Sequence, residues 1–256
     1  MITQFRAMVG AGFREALRNR VTLVVVIFTV VLLLSSLLLT EVTVATFDRV
    51  LTDVGLALIV LVLVPLAIFL SGAALGREIE RRTIFLVMSK PISRGLFLVS
   101  RYAGVLLTLL VLLGAMSLVF FCQQKIYGAK ITLAQGQALG LFGLELALVS
   151  ALGFFFSSFA GTLPATFMTA SLYLIGHLSP DLYRAAQRSD VLPVRLLGKG
   201  LYYVLPNMDR LNLRPRATYA AVTSASECLR SGTYGLAYSL LLLLLATLLF
   251  QRRDFK

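Results

Sequence analysis

One acidic side chain lies inside an otherwise apolar run and is the first candidate for chemistry. Glu145 is the only charged residue between Gln137 and Phe159. A carboxylate at the centre of a membrane helix costs about 2.5–3.5 kcal/mol on insertion scales, so we expect it to be protonated, paired or facing water. Glu145 is either part of a substrate path or gate, or a neutral acid that hydrogen-bonds a neighbouring helix. The sequence shows no obvious partner for it, and both interpretations stay open.

The sequence lacks the residue patterns that common catalytic and metal sites require. Its single histidine is His177, and its two cysteines, Cys122 and Cys228, form no CxxC pair, which argues against a zinc site. The stretch 198–200, Gly-Lys-Gly, lacks the flanking residues of a phosphate-binding loop. No GxSxG or HExxH motif occurs. We therefore expect no catalysis by this chain alone and no bound cofactor, with two unpaired cysteines favoured over a disulfide.

The composition indicates a membrane protein. Of the 256 residues, 58% are hydrophobic and only 14% are charged, whereas soluble domains average about 25% charged. The net charge is +12, but the basic residues stand at the ends of apolar runs instead of forming a continuous stripe. This distribution suits a membrane surface with anionic lipids and does not suit nucleic-acid binding.

Six apolar runs predict six transmembrane helices, because about 20 apolar residues cross a hydrocarbon core of about 30 Å. Residues 1–20 are amphipathic and predict an interfacial helix before the first span. The expected fold is therefore an all-α polytopic membrane protein with a single transmembrane domain. The predicted spans are 21–40, 55–76, 98–122, 137–159, 161–177 and 233–250.

Two features of the second span carry structural predictions. Pro65 removes a backbone hydrogen bond in mid-span, so we expect a kink there and count this residue, with Glu145, among candidates for a translocation path. Gly72 and Gly76 form a GxxxG motif, which is compatible with close helix packing.

The long hydrophilic segment, residues 178–232, predicts short helices folded against one mouth of the bundle. Ser179-Pro180 is typical of a helix start, with serine as the N-cap and proline at the first helical position. Apolar residues between Val194 and Leu205 recur at helical spacing. Residues 217–229 predict another helix.

The distribution of basic residues orients the chain. With six spans, both termini lie on one side, and that side collects 13 Lys and Arg residues against three in the short loops opposite. The positive-inside rule then places both termini in the cytoplasm. The segment 178–232 adds eight basic residues outside, but long loops obey the rule less strictly. Omitting the fifth span would move those eight inside and would leave the basic C-terminus outside.

The stretch from Gly76 to Arg94 combines dense charge with an apolar patch, Ile84 to Met88. Glu78 and Arg82 have the i, i+4 spacing that supports a helix, and Pro91 would end it. An apolar helix presented to the cytosol is typical of docking into the groove of a soluble partner. The alternative is that the patch packs under the bundle or into lipid.

The residues of this loop resemble those of a known family. The run 77–83, REIERRT, followed by SKPISR at 89–94 and by Phe97, Arg101 and Tyr102, is similar to ABC transporter permeases of the type-2 exporter class. The similarity is greatest to the six-span branch that resembles permeases of nitrous-oxide-reductase maturation, and residues 202–207, YYVLPN, look like that branch as well.

The resemblance implies a transport subunit with separate partners. It would pair with a second copy, or with a paralogous permease, in a bacterial inner membrane and among its lipids. Two copies of a separate ATPase would bind ATP and Mg²⁺ and dock on the loop 77–97, the coupling helix of that family. The residues expected at or beside this contact are Arg77, Glu78, Glu80, Arg81, Arg82, Ile84, Phe85, Leu86, Val87, Met88, Pro91 and Arg94.

Other functions stay open at this level. A membrane scaffold that recruits a cytosolic factor without transport would share the composition and the loop. A lipid-modifying membrane enzyme is disfavoured because the spans carry no paired carboxylates. Apolar spans favour a lipidic or amphiphilic cargo, while copper-, sulfur- or peptide-related cargo is equally consistent with the branch.

Overall fold

The computed structural model describes residues 9–10, 21–42, 46–80, 94–189 and 191–252. Within these ranges all regular elements are helical. A 3₁₀ helix, Met208–Leu211, lies between α6 and α7. The α-helices are α1 (Val21–Val42), α2 (Phe47–Glu80), α3 (Arg94–Ile126), α4 (Leu133–Ser157), α5 (Thr162–Gln187), α6 (Leu192–Val204), α7 (Arg214–Thr218) and α8 (Ala225–Arg252).

Four of these helices are long and apolar enough to cross a membrane: α2 as far as Gly76, α3, α4, and α8 as far as Gln251. Helix α1 contributes a shorter apolar stretch, Leu23–Leu37. The predicted all-helical class is confirmed for the described residues, whereas the number of six spans stays a prediction. The interfacial helix predicted for residues 1–20 lies outside the described residues, apart from residues 9–10.

The helices extend beyond the predicted spans. The span predicted at 55–76 belongs to a helix over Phe47–Glu80, and the one at 98–122 belongs to Arg94–Ile126. The last span, 233–250, likewise lies within Ala225–Arg252. Hydropathy marks only the part of a helix that suits hydrocarbon, while the backbone hydrogen bonds continue into the polar flanks.

Contacts at the two ends of the bundle show that neighbouring helices run in opposite directions. At one end, here called the Gly76 end, Gly76 of α2 packs against Thr162 at the start of α5. At the same end of α3, Arg94 Nη1 donates a hydrogen bond to the Gln251 carbonyl of α8 at 3.2 Å. The start of α3 therefore lies beside the end of α8.

A buried polar cluster ties the helices together at the opposite end, here called the Leu133 end. The side-chain amides of Gln124 in α3 and Gln135 in α4 both donate to the Thr52 hydroxyl of α2, at 3.0 and 3.1 Å. Gln123 donates to the Leu32 carbonyl of α1 at 2.9 Å. These bonds satisfy polar groups inside an apolar bundle and fix the relative heights of four helices.

Helix α4 is the centre of the bundle. It contacts α2, α3, α5 and α8, and most of its buried apolar side chains belong to a single hydrophobic cluster that includes Leu146, Val149, Leu152 and Phe154. A polar group on α4 that lacks a hydrogen-bond partner among the surrounding helices is therefore costly.

The GxxxG motif lies at a close helix contact, as its pattern suggested. A Cβ atom at Gly72 would lie 2.6 Å from Thr166 Oγ1 and 3.1 Å from Thr166 Cα. Gly76 has the same relation to Thr162, one turn earlier on α5. The two glycines thus allow the backbones of α2 and α5 to approach each other near the Gly76 end.

The helix start predicted at Ser179-Pro180 is wrong, because α5 continues through both residues to Gln187. Proline cannot supply the N–H that would bind the carbonyl four residues earlier, that of Gly176. In the structure the Ser179 hydroxyl donates to that carbonyl at 3.0 Å. The serine therefore supplies the hydrogen bond that the proline lacks, which allows the helix to continue.

The remainder of the hydrophilic segment agrees in part with its prediction. The apolar spacing between Val194 and Leu205 corresponds to α6. The single helix predicted over residues 217–229 is wrong: α7 ends at Thr218, residues 219–224 form a turn and an extended connection, and α8 begins at Ala225. Ala220 adopts a φ of 54° in that connection, a left-handed conformation that a helix excludes.

Candidate functional site

Glu145 lies on the central helix and is almost completely enclosed. It occupies the middle of α4, and its residue exposure is 3%. A charged carboxylate at such depth needs hydrogen-bond donors or an opposite charge. The sequence identified the residue but not its partner.

The partner of Glu145 is the only histidine of the chain. His177 Nε2, on α5, lies 3.0 Å from Glu145 Oε1. About one fifth of the His177 side chain is exposed, compared with 4% of the Glu145 side chain. In this contact either a neutral or a charged imidazole donates to a Glu145 carboxylate, or a neutral Glu145 carboxyl group donates to the imidazole. In each of these protonation states the contact links α4 to α5.

Tyr173 completes the cluster from one turn earlier on α5. Its ring packs edge to face against the His177 ring, with centroids 4.7 Å apart and an interplanar angle of 72°. Its hydroxyl also interacts with the Glu145 carboxylate. Two aromatic side chains from the same face of α5 are therefore fixed around one carboxylate of α4.

A cation approaches the cluster from the hydrophilic segment. Arg214, the first residue of α7, is half-buried and acts electrostatically on Tyr173. Its Nε donates to Asn212 Oδ1 at 3.1 Å, and its side chain borders a small crevice lined by Ile59 and Phe142. The sequence did not predict a site at Arg214, because an Arg-Pro step in a hydrophilic segment indicates only a break between elements. The depth of Arg214 follows from the tertiary packing of α7 against α2 and α4.

The cluster contains three titratable side chains. Its titratable groups are one carboxylate, one imidazole and one phenol.

Within the described residues, no group of three His, Cys, Asp or Glu side chains is placed to bind a metal ion. Both cysteines, Cys122 and Cys228, are free thiols.

The second candidate for the translocation path lies apart from this cluster. Helix α2 is continuous through Pro65, which is exposed on the surface of the chain. Pro65 follows Leu61 and precedes Phe69 at intervals of four residues, and these two side chains are 67% and 63% exposed. This spacing places all three on one apolar face of α2. Glu145 therefore contacts α5, whereas Pro65 lies on the exposed face of α2.

Most of the predicted coupling loop lies outside the described residues. This applies to Arg81, Arg82, the patch from Ile84 to Met88, and Pro91. Arg77, Glu78 and Glu80 belong to the last turn of α2, where only the backbone is described. Arg94 is the first residue of α3 and contacts the end of α8.

Comparison with protein-family models and with curated proteins gives no match for this chain.

Proposed function

We propose that the chain is the membrane-spanning permease subunit of an ATP-driven ABC transporter, of the exporter kind that its resemblance to the type-2 class implies. A separate ATPase would hydrolyse ATP, and the permease would convert that cycle into passage of a substrate. The chain would act as a homodimer, or with a paralogous permease, and bind two ATPase copies. Its six spans would lie in a bacterial inner membrane with both termini in the cytoplasm.

The observation that carries the proposal is the helical boundary of the charged loop. Helix α2 continues to Glu80, four residues past Gly76, where its membrane-length apolar stretch ends. Helix α3 begins at Arg94, so the loop connects two long helices at the same end of the bundle. A force that a docked ATPase applied to the loop would act directly on α2 and α3. This is the mechanical property that a coupling segment needs.

The pairing of α2 with α5 supports a route from the loop into the bundle. The contacts of Gly72 and Gly76 with two threonines of α5 lie at the loop-proximal end of α2. Further along, α5 carries His177, which is bonded to Glu145. We propose that the Glu145–His177 pair is a link between α4 and α5 that rearranges when α5 moves during transport.

The exposed face of α2 supports a place for the second copy. Leu61 and Phe69 lie on the same face as Pro65 and are largely uncovered in the single chain. In a membrane this face contacts lipid or another helix. We propose that it contributes to the dimer, and that the translocation path runs between the two copies beside it.

The decisive experiment tests the loop with an ATPase partner. The chain would be purified together with a candidate ABC ATPase from the same organism, and complex formation and ATP hydrolysis would be measured in proteoliposomes. Phe85→Glu is expected to abolish stimulation of the ATPase and to weaken the complex, because it places a charge in the apolar patch. Val222→Glu is the matched control, since Val222 is 58% exposed at the opposite end.

The outcomes separate transport from the runner-up function. If Phe85→Glu leaves both complex formation and ATPase stimulation intact, the loop is not the coupling element. If a cytosolic partner binds the loop but hydrolyses no ATP, the chain is a membrane scaffold for that partner.

A further inference from the structure

Two cavities adjoin each other at the Leu133 end of the bundle. One is a polar cavity of about 450 Å³, bordered by the connection after α6, the 3₁₀ helix, α7 and the start of α8. The other is an apolar groove of about 400 Å³ between α5 and α6. Tyr202 lines both of them. Each volume falls in the range of ligand pockets, about 300–1,000 Å³.

The groove has the chemistry of a hydrocarbon site. Its walls include Leu182 and Ala186 of α5, and Val194, Leu197 and Leu201 of α6. None of the residues of α6 is fully buried within the described structure, and Val194, Leu197 and Leu201 are 45%, 67% and 52% exposed. A flexible acyl chain would remove this surface from water and needs no polar partner.

One residue that lines the polar cavity, Asn207, carries a buried hydrogen-bond acceptor. Asn207 is 4% exposed, and its Oδ1 atom has no hydrogen-bond partner among the described residues. Two of its three N–H donors are engaged: its backbone N–H donates to the Tyr234 hydroxyl at 2.8 Å, and Nδ2 donates one hydrogen bond to the Tyr202 hydroxyl at 3.4 Å. An unsatisfied buried acceptor is costly, so this atom favours a ligand that brings an N–H or O–H group.

The polar cavity is bordered by two basic and two acidic side chains. Arg216 and Glu227 neutralise each other, with Nη2 and Oε1 2.8 Å apart. The hydrogen bond and the charge of Glu227 raise the pKa of Arg216. Among the described residues, Asp209 and Arg210 form no ion pair, and the Arg210 guanidinium lies over the Tyr234 ring, 5.0 Å from its centroid. Within this part of the chain the cavity thus offers one uncompensated negative charge and one uncompensated positive charge.

We propose that the polar cavity and the groove form one binding site for a zwitterionic phospholipid of the phosphatidylethanolamine type. Arg210 would bind the phosphate, while Asp209 and Asn207 Oδ1 would accept hydrogen bonds from the ammonium group. One acyl chain would pass Tyr202 into the groove between α5 and α6. This inference requires only that the chain lies in a membrane, so it does not depend on the transporter proposal.

The headgroup follows from hydrogen bonding and charge. A choline headgroup is zwitterionic but has no N–H to donate to Asn207 Oδ1. A glycerol headgroup has hydroxyl donors but no positive charge, so it would leave the Asp209 carboxylate unmatched beside the phosphate. The ethanolamine headgroup alone among these three supplies both a donor and a positive charge.

Photocrosslinking of the purified full-length chain in detergent tests the site. The probe is phosphatidylethanolamine with a diazirine near the end of one acyl chain, and crosslinked peptides are mapped by mass spectrometry. Competitors are unlabelled phosphatidylethanolamine, phosphatidylcholine, phosphatidylglycerol and chain-free glycerophosphoethanolamine. We expect crosslinks on Leu182, Leu197 or Leu201, and competition by phosphatidylethanolamine about tenfold stronger than by phosphatidylglycerol.

Two pairs of exposed variants separate the parts of the site. Leu197→Glu should abolish the crosslinks, whereas Leu196→Glu, on the same helix but outside the groove, should retain them. Asp209→Asn should reduce the preference for phosphatidylethanolamine over phosphatidylglycerol about tenfold. Asp181→Asn should leave it unchanged, because that carboxylate is exposed and paired with Arg184.

Several results would overturn the proposal. One is equal competition by all three phospholipids, and another is equal loss of crosslinks in the Leu196 and Leu197 variants. Competition by glycerophosphoethanolamine as strong as that by the lipid would show that the groove takes no part and that the polar cavity binds a free phosphate compound.

Discussion

Replacing His177 with alanine tests whether Glu145 is charged and held by its partner. The change leaves a carboxylate with 4% side-chain exposure without the imidazole that lies 3.0 Å from it. Removing one partner of a buried ion pair costs about 3–5 kcal/mol. Because one fifth of the His177 side chain is exposed, water can compensate in part, and we expect a loss of about 2–3 kcal/mol.

The assay is thermal unfolding of the purified chain in detergent at a fixed scan rate, because membrane proteins commonly unfold irreversibly. For a chain of this size, 1 kcal/mol corresponds to about 2–4 °C. His177→Ala should therefore lower the apparent Tm by about 4–12 °C. Met168→Ala is the control for substitution on α5, since Met168 is 43% exposed, and it should change the Tm by less than about 2 °C.

A second substitution shows whether charge is the cause. Adding Glu145→Gln to the His177→Ala variant removes the buried charge, and the double variant should recover most of the lost stability. If the double variant is no more stable than His177→Ala alone, Glu145 is neutral in the folded chain. The interpretation as a charged, paired carboxylate is then wrong.

Two further perturbations test the packing and the orientation. Gly72→Leu should destabilise the chain by about 1–3 kcal/mol through overpacking against Thr166, measured by the same unfolding assay. Gly114→Leu should have little effect, because a Cβ atom at Gly114 would meet no described atom within 4 Å; equal effects would contradict the close contact. An Arg188→Cys variant, made in a background without Cys122 and Cys228, tests the topology. It should react with an impermeant maleimide only from the extracytoplasmic side of whole cells, because the proposed topology places α5 across the membrane. Labelling only from the cytoplasm would refute the six spans.

The helices could be predicted from the sequence because the reason for helix formation lies within each apolar run. A long apolar run in a membrane must satisfy its own backbone hydrogen bonds, and a helix does so within one segment. The sequence therefore predicts α3 and α4 to within a few residues. It also predicts the contact at Gly72 and Gly76, because small residues one turn apart allow a neighbouring backbone to approach.

The predictions that were wrong or missing depend on contacts that local sequence patterns do not show. Ser179-Pro180 has the composition of a helix start, but the serine hydroxyl satisfies the carbonyl of Gly176 and the helix continues. The partner of Glu145 is 32 residues away on another helix, so no spacing rule connects the two. The need of Asn207 Oδ1 for a donor is visible only when the hydrogen bonds of the surrounding described residues are known.

Helix α5 connects the charged loop, the buried pair and the apolar groove. Its first turns pack against α2 beside the loop, at Gly76 and Gly72. Midway, its His177 is bonded to Glu145 of α4, and its last turns form a wall of the groove. Because α5 is continuous through Pro180, these parts belong to one helix. We infer that a displacement of α5 as a whole would either break the Glu145–His177 bond or move α4 with it, and would also change the width of the groove.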